Sequence, residues 1–253
     1  MIQVKNLKFR YPGDKSTFAL RGVSFNLSPG EKVALMGANG SGKTTFVRCL
    51  NGLLKPLFGE VLVDGISLKN TEMLYEIRRR VGMVFQNPDN QIVTTTVVRE
   101  IAFGLENLGV PIEEMKKRVE EAICHFHLEE YRNTPPHLLS GGELQRLALA
   151  SVWVMKPRYL ILDEPTSLLD PQGREEILDF LEKEVKTRKI GILLVTQYPE
   201  EALICDRLVV MDRGKIVFDK APETVFQNIE KLYQIGIGVP VKMELECYFN
   251  LKI

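Results

Sequence analysis

The sequence predicts an α/β fold whose core is a mainly parallel sheet, with an antiparallel β layer at the N-terminal end and a helical insertion in the middle. Three observations predict it. The apolar runs Val33-Ala34-Leu35-Met36, Val81-Gly82-Met83-Val84-Phe85, Tyr159 to Leu162 and Ile190 to Val195 read as buried strands separated by helical stretches. Strands that alternate with helices form a parallel sheet covered on both faces. Residues 2–27 instead alternate with period two, through Leu7, Phe9 and Tyr11 and then Val23, Phe25 and Leu27, around the turn-like Pro12-Gly13-Asp14. That pattern is antiparallel, with one buried face. From about Thr96 to Trp153 the apolar positions change to helical spacing.

In chain order, Glu60 to Leu68 reads as two strands turning at Asp64-Gly65. The strand at Val81 ends at Gln86-Asn87-Pro88-Asp89-Asn90-Gln91, too polar and Pro-interrupted to continue it. In the insertion Ile101, Leu105 and Leu108 share a face, as do Met115, Val119, Ile123 and Phe126 after the start signal Pro111. A helix follows from Pro171 to about Lys186, a short one near Glu200 to Ile204, and then a hairpin from Leu208 to Phe218 turning at Asp212-Arg213-Gly214. Ala221 to Tyr233 reads as helical, and Gly236 to Ile253 as an extension without a legible role.

The chemistry concentrates in a few places. Gly37-Ala38-Asn39-Gly40-Ser41-Gly42-Lys43-Thr44 is G-x-x-x-x-G-K-[ST] between a strand and the helical run that starts at Thr45. Its glycines let backbone N–H groups and a helix N-terminus converge on an anion, in a loop expected at the surface. Lys43 is then expected to pair with outer phosphates of a nucleotide, and Thr44 with Mg²⁺. Leu160-Ile161-Leu162-Asp163-Glu164-Pro165 puts two carboxylates at the end of a buried strand, on the side where ligands of parallel sheets gather. Asp163 suits the surroundings of Mg²⁺, and Glu164 suits a water aligned with the terminal phosphate. Ser140 and Glu143 have capping-box spacing, which leaves Gly141 and Gly142 unexplained, because glycines weaken a first turn. Bare N–H groups there make a second anion site.

Whole-chain properties narrow the classes. Lys+Arg and Asp+Glu balance at 33 each over 253 residues, so no global attraction to nucleic acid or anionic lipid is expected. Cys49, Cys124, Cys205 and Cys247 lack metal-ligand spacing and fit the reducing cytosol. No apolar stretch approaches the ~18 residues of a membrane span.

The ordered set of the phosphate loop, Gln86 after a strand, Leu139-Ser140-Gly141-Gly142-Glu143, Leu162-Asp163-Glu164-Pro165 and Ser167-Leu168-Leu169-Asp170 resembles an ABC-type ATPase. The resemblance implies the ABC ATPase fold, a P-loop NTPase core covering about residues 1–220 with a helical subdomain at about 90–153; residues 221–253 remain a C-terminal extension. It implies ATP and Mg²⁺ as ligands. The expected ATP-binding residues are Tyr11, stacking on adenine, with Gly37, Asn39, Gly40, Ser41, Gly42, Lys43, Thr44 and Thr45. Thr44, Gln86 and Asp163 are expected near Mg²⁺; Glu164, Gln86 and Gln197 are the catalytic candidates, Gln86 also linking the site to a transmembrane partner. It implies a head-to-tail dimer in which Ser140, Gly141, Gly142 and Glu143 complete the site of the other ATPase subunit, with Asp170 contacting across the dimer.

Within the family, Phe85 to Gln91, Ile101-Ala102-Phe103-Gly104 and Asn107-Leu108-Gly109 are similar to the ATPases of energy-coupling-factor transporters and of cobalt and nickel importers. These take up vitamins or metal ions through a transmembrane coupling subunit and a substrate-binding membrane subunit, which would hold this chain at the cytoplasmic face of the cell membrane. One position departs from the family. The switch histidine expected after Leu193-Leu194-Val195-Thr196 is Gln197, which donates a hydrogen bond but neither becomes a cation nor shuttles a proton. His125, His127 and His137 lie elsewhere in the chain and read as ordinary surface or half-buried residues. The leading expectation is therefore one half of an asymmetric heterodimer with a weakened site of its own. The alternatives are a homodimeric ATPase of a cobalt or nickel importer and a soluble ABC ATPase outside transport. A small-molecule kinase is disfavoured by the second anion helix.

Overall fold

The computed structural model describes residues 1–13 and 17–249; Asp14 of the N-terminal turn and residues 250–253 of the extension lie outside the described residues. In chain order the strands are β1 (Ile2–Phe9), β2 (Leu20–Leu27), β3 (Lys32–Met36), β4 (Phe58–Val63), β5 (Ile66–Ser67), β6 (Val81–Val84), β7 (Tyr159–Asp163), β8 (Gly191–Val195), β9 (Arg207–Asp212) and β10 (Lys215–Lys220). The helices are α1 (Lys43–Leu50), α2 (Leu74–Arg80), α3 (Val97–Asn107), α4 (Ile112–His125), α5 (Gly141–Trp153), α6 (Pro171–Arg188), α7 (Pro199–Leu203), α8 (Pro222–Phe226), α9 (Ile229–Gln234) and α10 (Val241–Phe249).

The strands make two sheets. One has the order β2-β1-β4-β5 and is antiparallel; the other has the order β10-β9-β3-β8-β7-β6 and is parallel except for β10. The α/β core, the antiparallel N-terminal layer and the helical insertion are thus as the sequence predicts. Period two along the central strands divides the core. Val33 and Leu35 of β3 join Ile161, Leu193, Val209, α1 and the antiparallel sheet in one apolar cluster. Ala34 and Met36 join Leu160, Leu194, Val210 and helices α3 to α6 in the other. Strands buried on both faces cannot alternate polar and apolar residues, which is why they read as continuous apolar runs.

Differences are local. No helix was expected between Leu68 and Val81; α2 forms there with Ile77 as its one buried residue, too few anchors to register as a period. The stretch from Ala221 to Tyr233 breaks into α8 and α9 at Gln227-Asn228, and Val225, Phe226, Leu232, Ile237 and Val239 enter the same core as the insertion. Gly236, Ile237 and Gly238 then line a cavity of about 150 Å³ together with Ala38, Asn39 and Gln197. Among the described residues no helix is long and apolar enough to cross a membrane.

Four loops leave the C-terminal ends of β3, β6, β7 and β8, and the parallel register sets those ends side by side: Leu35 pairs Val195, Asp163 pairs Val195, and Val84 pairs Leu162. That rim carries the candidate site.

Candidate active site

The loop after β3 is shaped by what its glycines exclude. A Cβ on Gly37 would stand 2.5 Å from both the Met211 carbonyl oxygen and Ser41 Oγ, and one on Gly42, at φ +105°, would stand 2.8 Å from the Ala19 carbonyl oxygen. Contacts under 3 Å to backbone cannot be relieved cheaply, so this chain's own packing requires both glycines. Lys43 Nζ donates to the carbonyl oxygens of Gly37 at 2.6 Å and Ala38 at 3.3 Å. The expectation of a surface loop needs correction. Only the crest at Asn39 and Gly40 is exposed, while Ser41, Lys43 and Thr45 are buried, because α1 opens directly against the sheet. Burial lowers the Lys43 pKa, opposed by the charges of Glu164 and Asp163. Ser41 Oγ is buried without a hydrogen-bond partner. An orphaned buried hydroxyl costs about 1–3 kcal/mol, and a phosphate oxygen in the cradle would supply its partner.

Asp163, 2 % exposed at the end of β7, hydrogen-bonds the Thr44 side chain. Its pKa is raised by burial and, to a lesser degree, by Glu164, while Thr44 opposes. Hydroxyl, carboxylate and amide oxygens are the hard donors that Mg²⁺ takes, so Thr44, Asp163 and Gln86 fit that ion. Among the described residues no group of three His, Cys, Asp or Glu could hold a metal alone.

Glu164 adopts φ +52°, which turns it out of the strand. Its Oε2 accepts from Gln86 Nε2 at 2.9 Å and its Oε1 from Gln197 Nε2 at 2.7 Å. Tyr11 shares a hydrogen bond with Thr45 Oγ1 at 2.9 Å, keeps 44 % of its surface exposed, and meets Phe9 edge to face at 5.0 Å. The phosphate loop, Tyr11, Thr44, Thr45, Gln86, Asp163, Glu164 and Gln197 therefore share one rim.

The residues from Ser140 to Glu143 meet different neighbours. The capping box forms, with Glu143 Oε2 accepting from Ser140 N at 2.7 Å and Ser140 Oγ from Glu143 N at 3.4 Å. A Cβ on Gly141 would come no closer than 3.8 Å to Leu168, and one on Gly142 3.5 Å to Leu169. These are ordinary contacts, so among the described residues nothing demands either glycine.

A family model described as ABC transporter matches residues 20–167. The chain belongs to the ABC transporter family. This ABC subunit is 43% identical over 247 residues to the energy-coupling factor transporter ATP-binding protein EcfA1 of Clostridium novyi (strain NT), covering 97% of this chain and 88% of that protein. It is 46% identical over 245 residues to the cobalt import ATP-binding protein CbiO of Syntrophus aciditrophicus (strain SB), covering 97% and 87%. The solved structure of cbiO1 from Clostridium perfringens, part of the ABC transporter complex cbiONQ, superposes with a TM-score of 0.80 at 35% identity, covering 96% and 97%. The ATP-binding cassette MJ0796, solved as a dimer in a post-hydrolysis state bound to ADP and Pi, gives 0.82 at 29% identity, covering 88% of this chain and 99% of that one. The activity is that of its family: ATP hydrolysis powers transport.

The structure also brings together residues the sequence did not single out. Gln91 ties the segment after β6 to α5, its Nε2 donating to the Ala148 carbonyl at 2.8 Å and its Oε1 accepting from Phe85 N at 3.2 Å. Tyr75, Arg78 and Arg79 of α2 line a cavity of about 380 Å³ with Gln91, Phe103 and Met155. The Arg78-Arg79-Arg80 run was visible, but a charge run reads first as a solvated face. His125, half-buried, stacks on Trp153 at 5.2 Å, and burial lowers its pKa. His127 and His137 are exposed.

Proposed function

We propose that this chain is one of two different ATPase subunits in an energy-coupling-factor type importer for a vitamin or a transition-metal ion, and that its own site is the slower of the two. The supporting observation is the 2.7 Å hydrogen bond from Gln197 Nε2 to Glu164 Oε1. Glu164 is the candidate general base, and both of its oxygens already accept from amides. Each oxygen keeps a further lone pair through which a water's proton can reach the carboxylate, so the two amides orient the base without blocking it. An imidazole at residue 197 could accept or carry a proton; an amide does neither. Lys43 and Ser41 take phosphate oxygens, Tyr11 supplies an adenine platform, and Thr44, Asp163 and Gln86 hold Mg²⁺. That ion, when bound, offsets charge on the phosphates.

The glycines of α5 support the head-to-tail pairing. Their lack of internal necessity makes sense when an anion bound by the other ATPase subunit approaches the bare N–H groups. The cavity between α2, α3 and α5 suits a short helix of a transmembrane coupling subunit, which works with a substrate-binding membrane subunit and would hold this chain at the cytoplasmic face of the membrane. Residues 1–220 act as the cassette and 221–253 as its extension.

The test compares steady-state ATP hydrolysis by this chain alone with hydrolysis after mixing with the companion ATPase co-purified from detergent-solubilised membranes. Activity is expected only in the mixture, with the site containing Gln197 slower by ~10² or more. Fast turnover by this chain alone would show equivalent sites. A companion bearing no histidine at the switch position would count equally against the asymmetry.

A further inference from the structure

We propose that Glu201 is a positioning residue for hydrolysis, one buried carboxylate that ties the segment carrying Gln197 to the segment carrying Glu164. Glu201 lies on α7 and is 1 % exposed. Its Oε1 accepts from Thr166 Oγ1 at 2.6 Å, and its Oε2 accepts from the Thr196 hydroxyl at 2.5 Å. Thr166 and Thr196 are themselves 1 % exposed. Thr166 stands two residues after Glu164, and Thr196 immediately before Gln197. The two strand ends whose side chains meet in the 2.7 Å Gln197 to Glu164 bond are thus clamped from beneath by a single group.

The clamp extends further. Thr196 Oγ1 accepts from Tyr198 N at 3.0 Å, which fixes the backbone on the far side of Gln197. Arg174 of α6 places Nε 3.7 Å from Glu201 Oε1, and its guanidinium lies 3.8 Å from the Tyr198 ring centroid. The N-cap of α6 is Asp170, whose carboxylate accepts from Gly173 N at 2.9 Å. The segment from Ser167 to Asp170 therefore runs from the clamp to the helix that supplies its cation.

An all-apolar cluster in place of Glu201, Thr166 and Thr196 would usually serve a buried position as well or better, so stability alone does not call for this set of polar side chains. What an apolar side chain lacks is two acceptor oxygens at a fixed separation, able to hold two hydroxyls from two loops at once. The hydroxyl tethers set the position of Glu164 and Gln197 to within the tolerance that reacting groups require, where a displacement of about 1 Å costs as much as a hundredfold in rate.

The experiment measures single-turnover hydrolysis of ATP by the assembled transporter, protein in excess, with the companion's site silenced; if the chain pairs with itself the same measurement runs on it alone, so the outcome does not depend on the asymmetric pairing proposed above. Glu201→Leu is expected to leave the ATP dissociation constant within about twofold while lowering the hydrolysis rate about tenfold or more, alongside a lower melting temperature, because the buried hydroxyls of Thr166 and Thr196 lose their acceptor. Glu201→Gln, which retains one acceptor oxygen, should recover a large part of that rate. Combined with Gln197→Ala, Glu201→Leu should add little further loss, because both act through one geometry. If Glu201→Leu does not fold, Thr166→Val and Thr196→Val, which each remove one tether, are expected to lower the rate at unchanged ATP affinity. A parental rate in Glu201→Leu, or in both valine variants, would overturn the inference. So would losses in Glu201→Leu and Gln197→Ala that simply multiply.

Discussion

The chain has two glycine-rich helix N-termini, at α1 and α5, and they differ in what keeps side chains away. At α1 the prohibition is internal: a Cβ on Gly37 or Gly42 runs into backbone oxygens of this same chain at 2.5 and 2.8 Å. At α5 a Cβ on Gly141 or Gly142 would make only ordinary contacts, none nearer than 3.5 Å among the described residues. The same residue type thus answers to the fold in one place and, in the pairing proposed above, to a contact outside the chain in the other. The difference teaches that glycines at a helix start point to intermolecular contact only after intrachain packing has been checked.

The largest expected effect removes the function of the internal terminus. Lys43→Ala should abolish tight Mg-ATP binding, measured by calorimetry, because the loop loses the ammonium that faces the outer phosphates. Retained affinity would show that this loop is not the nucleotide cradle, and the comparison would lose its first member.

Next come substitutions at α5. Gly142→Asp should abolish most turnover of the paired ATPase without affecting ATP binding by this chain, since it puts a carboxylate where an anion is expected. Gly142→Ala sharpens the point. It should leave the isolated chain's melting temperature at or slightly above the parent's, because alanine favours a helix over glycine by about 0.5–1 kcal/mol, and still lower paired turnover. A drop in the isolated chain's stability would mean that the demand at Gly142 is internal after all.

Gly37→Ala should show the reverse order of effects. The nucleotide-free chain should lose about 1–3 kcal/mol in thermal or denaturant unfolding, because the added methyl overlaps the Met211 carbonyl and Ser41. An unchanged melting temperature would erase the distinction between the two termini.

The smallest effect is electrostatic. Burial raises the Asp163 pKa beside α1, whereas hydrogen bonds, from Tyr131 first and then Ser140, lower that of Glu143 at α5. The folded state binds a proton at Asp163 more readily than the unfolded chain does, so ionising Asp163 costs stability, and the cost sets in as pH rises from the ordinary carboxylate range through the raised value. At Glu143 the sign reverses: its stabilising contribution is present above the ordinary range and is lost as pH falls through the lowered value. Asp163→Asn should therefore slightly raise the melting temperature of the nucleotide-free chain at neutral pH while removing hydrolysis at this chain's own site; Glu143→Gln should slightly lower it. Shifts of the same sign in both variants would contradict the two environments.

Much of this was legible because it is local in sequence. The phosphate loop between a strand and a helix, the capping box of Ser140 and Glu143, the acid pair ending β7 and the missing histidine at Gln197 all lie within a few residues of the element that presents them. Dihedral preference, strand period and helix capping act over that same distance. The helix α2 was not legible, since its single buried residue, Ile77, leaves no period to detect. Nor was Gln91, whose partners Ala148 and Ser151 lie on a helix far along the chain.

By itself the sequence determined the layered α/β core, the order of its strands along the chain, and the residue types at the phosphate loop and at α5. Tertiary structure alone decided which of them meet: Gln86 and Gln197 on the two oxygens of Glu164, Tyr11 on Thr45, Thr166 and Thr196 on Glu201, and Gly236 to Gly238 against Ala38 and Gln197. The reason is physical. Patterns of period and capping report the environment of a residue's own turn or strand, whereas these contacts are set by how strands far apart in the chain take neighbouring places in one sheet, an arrangement that no short stretch encodes.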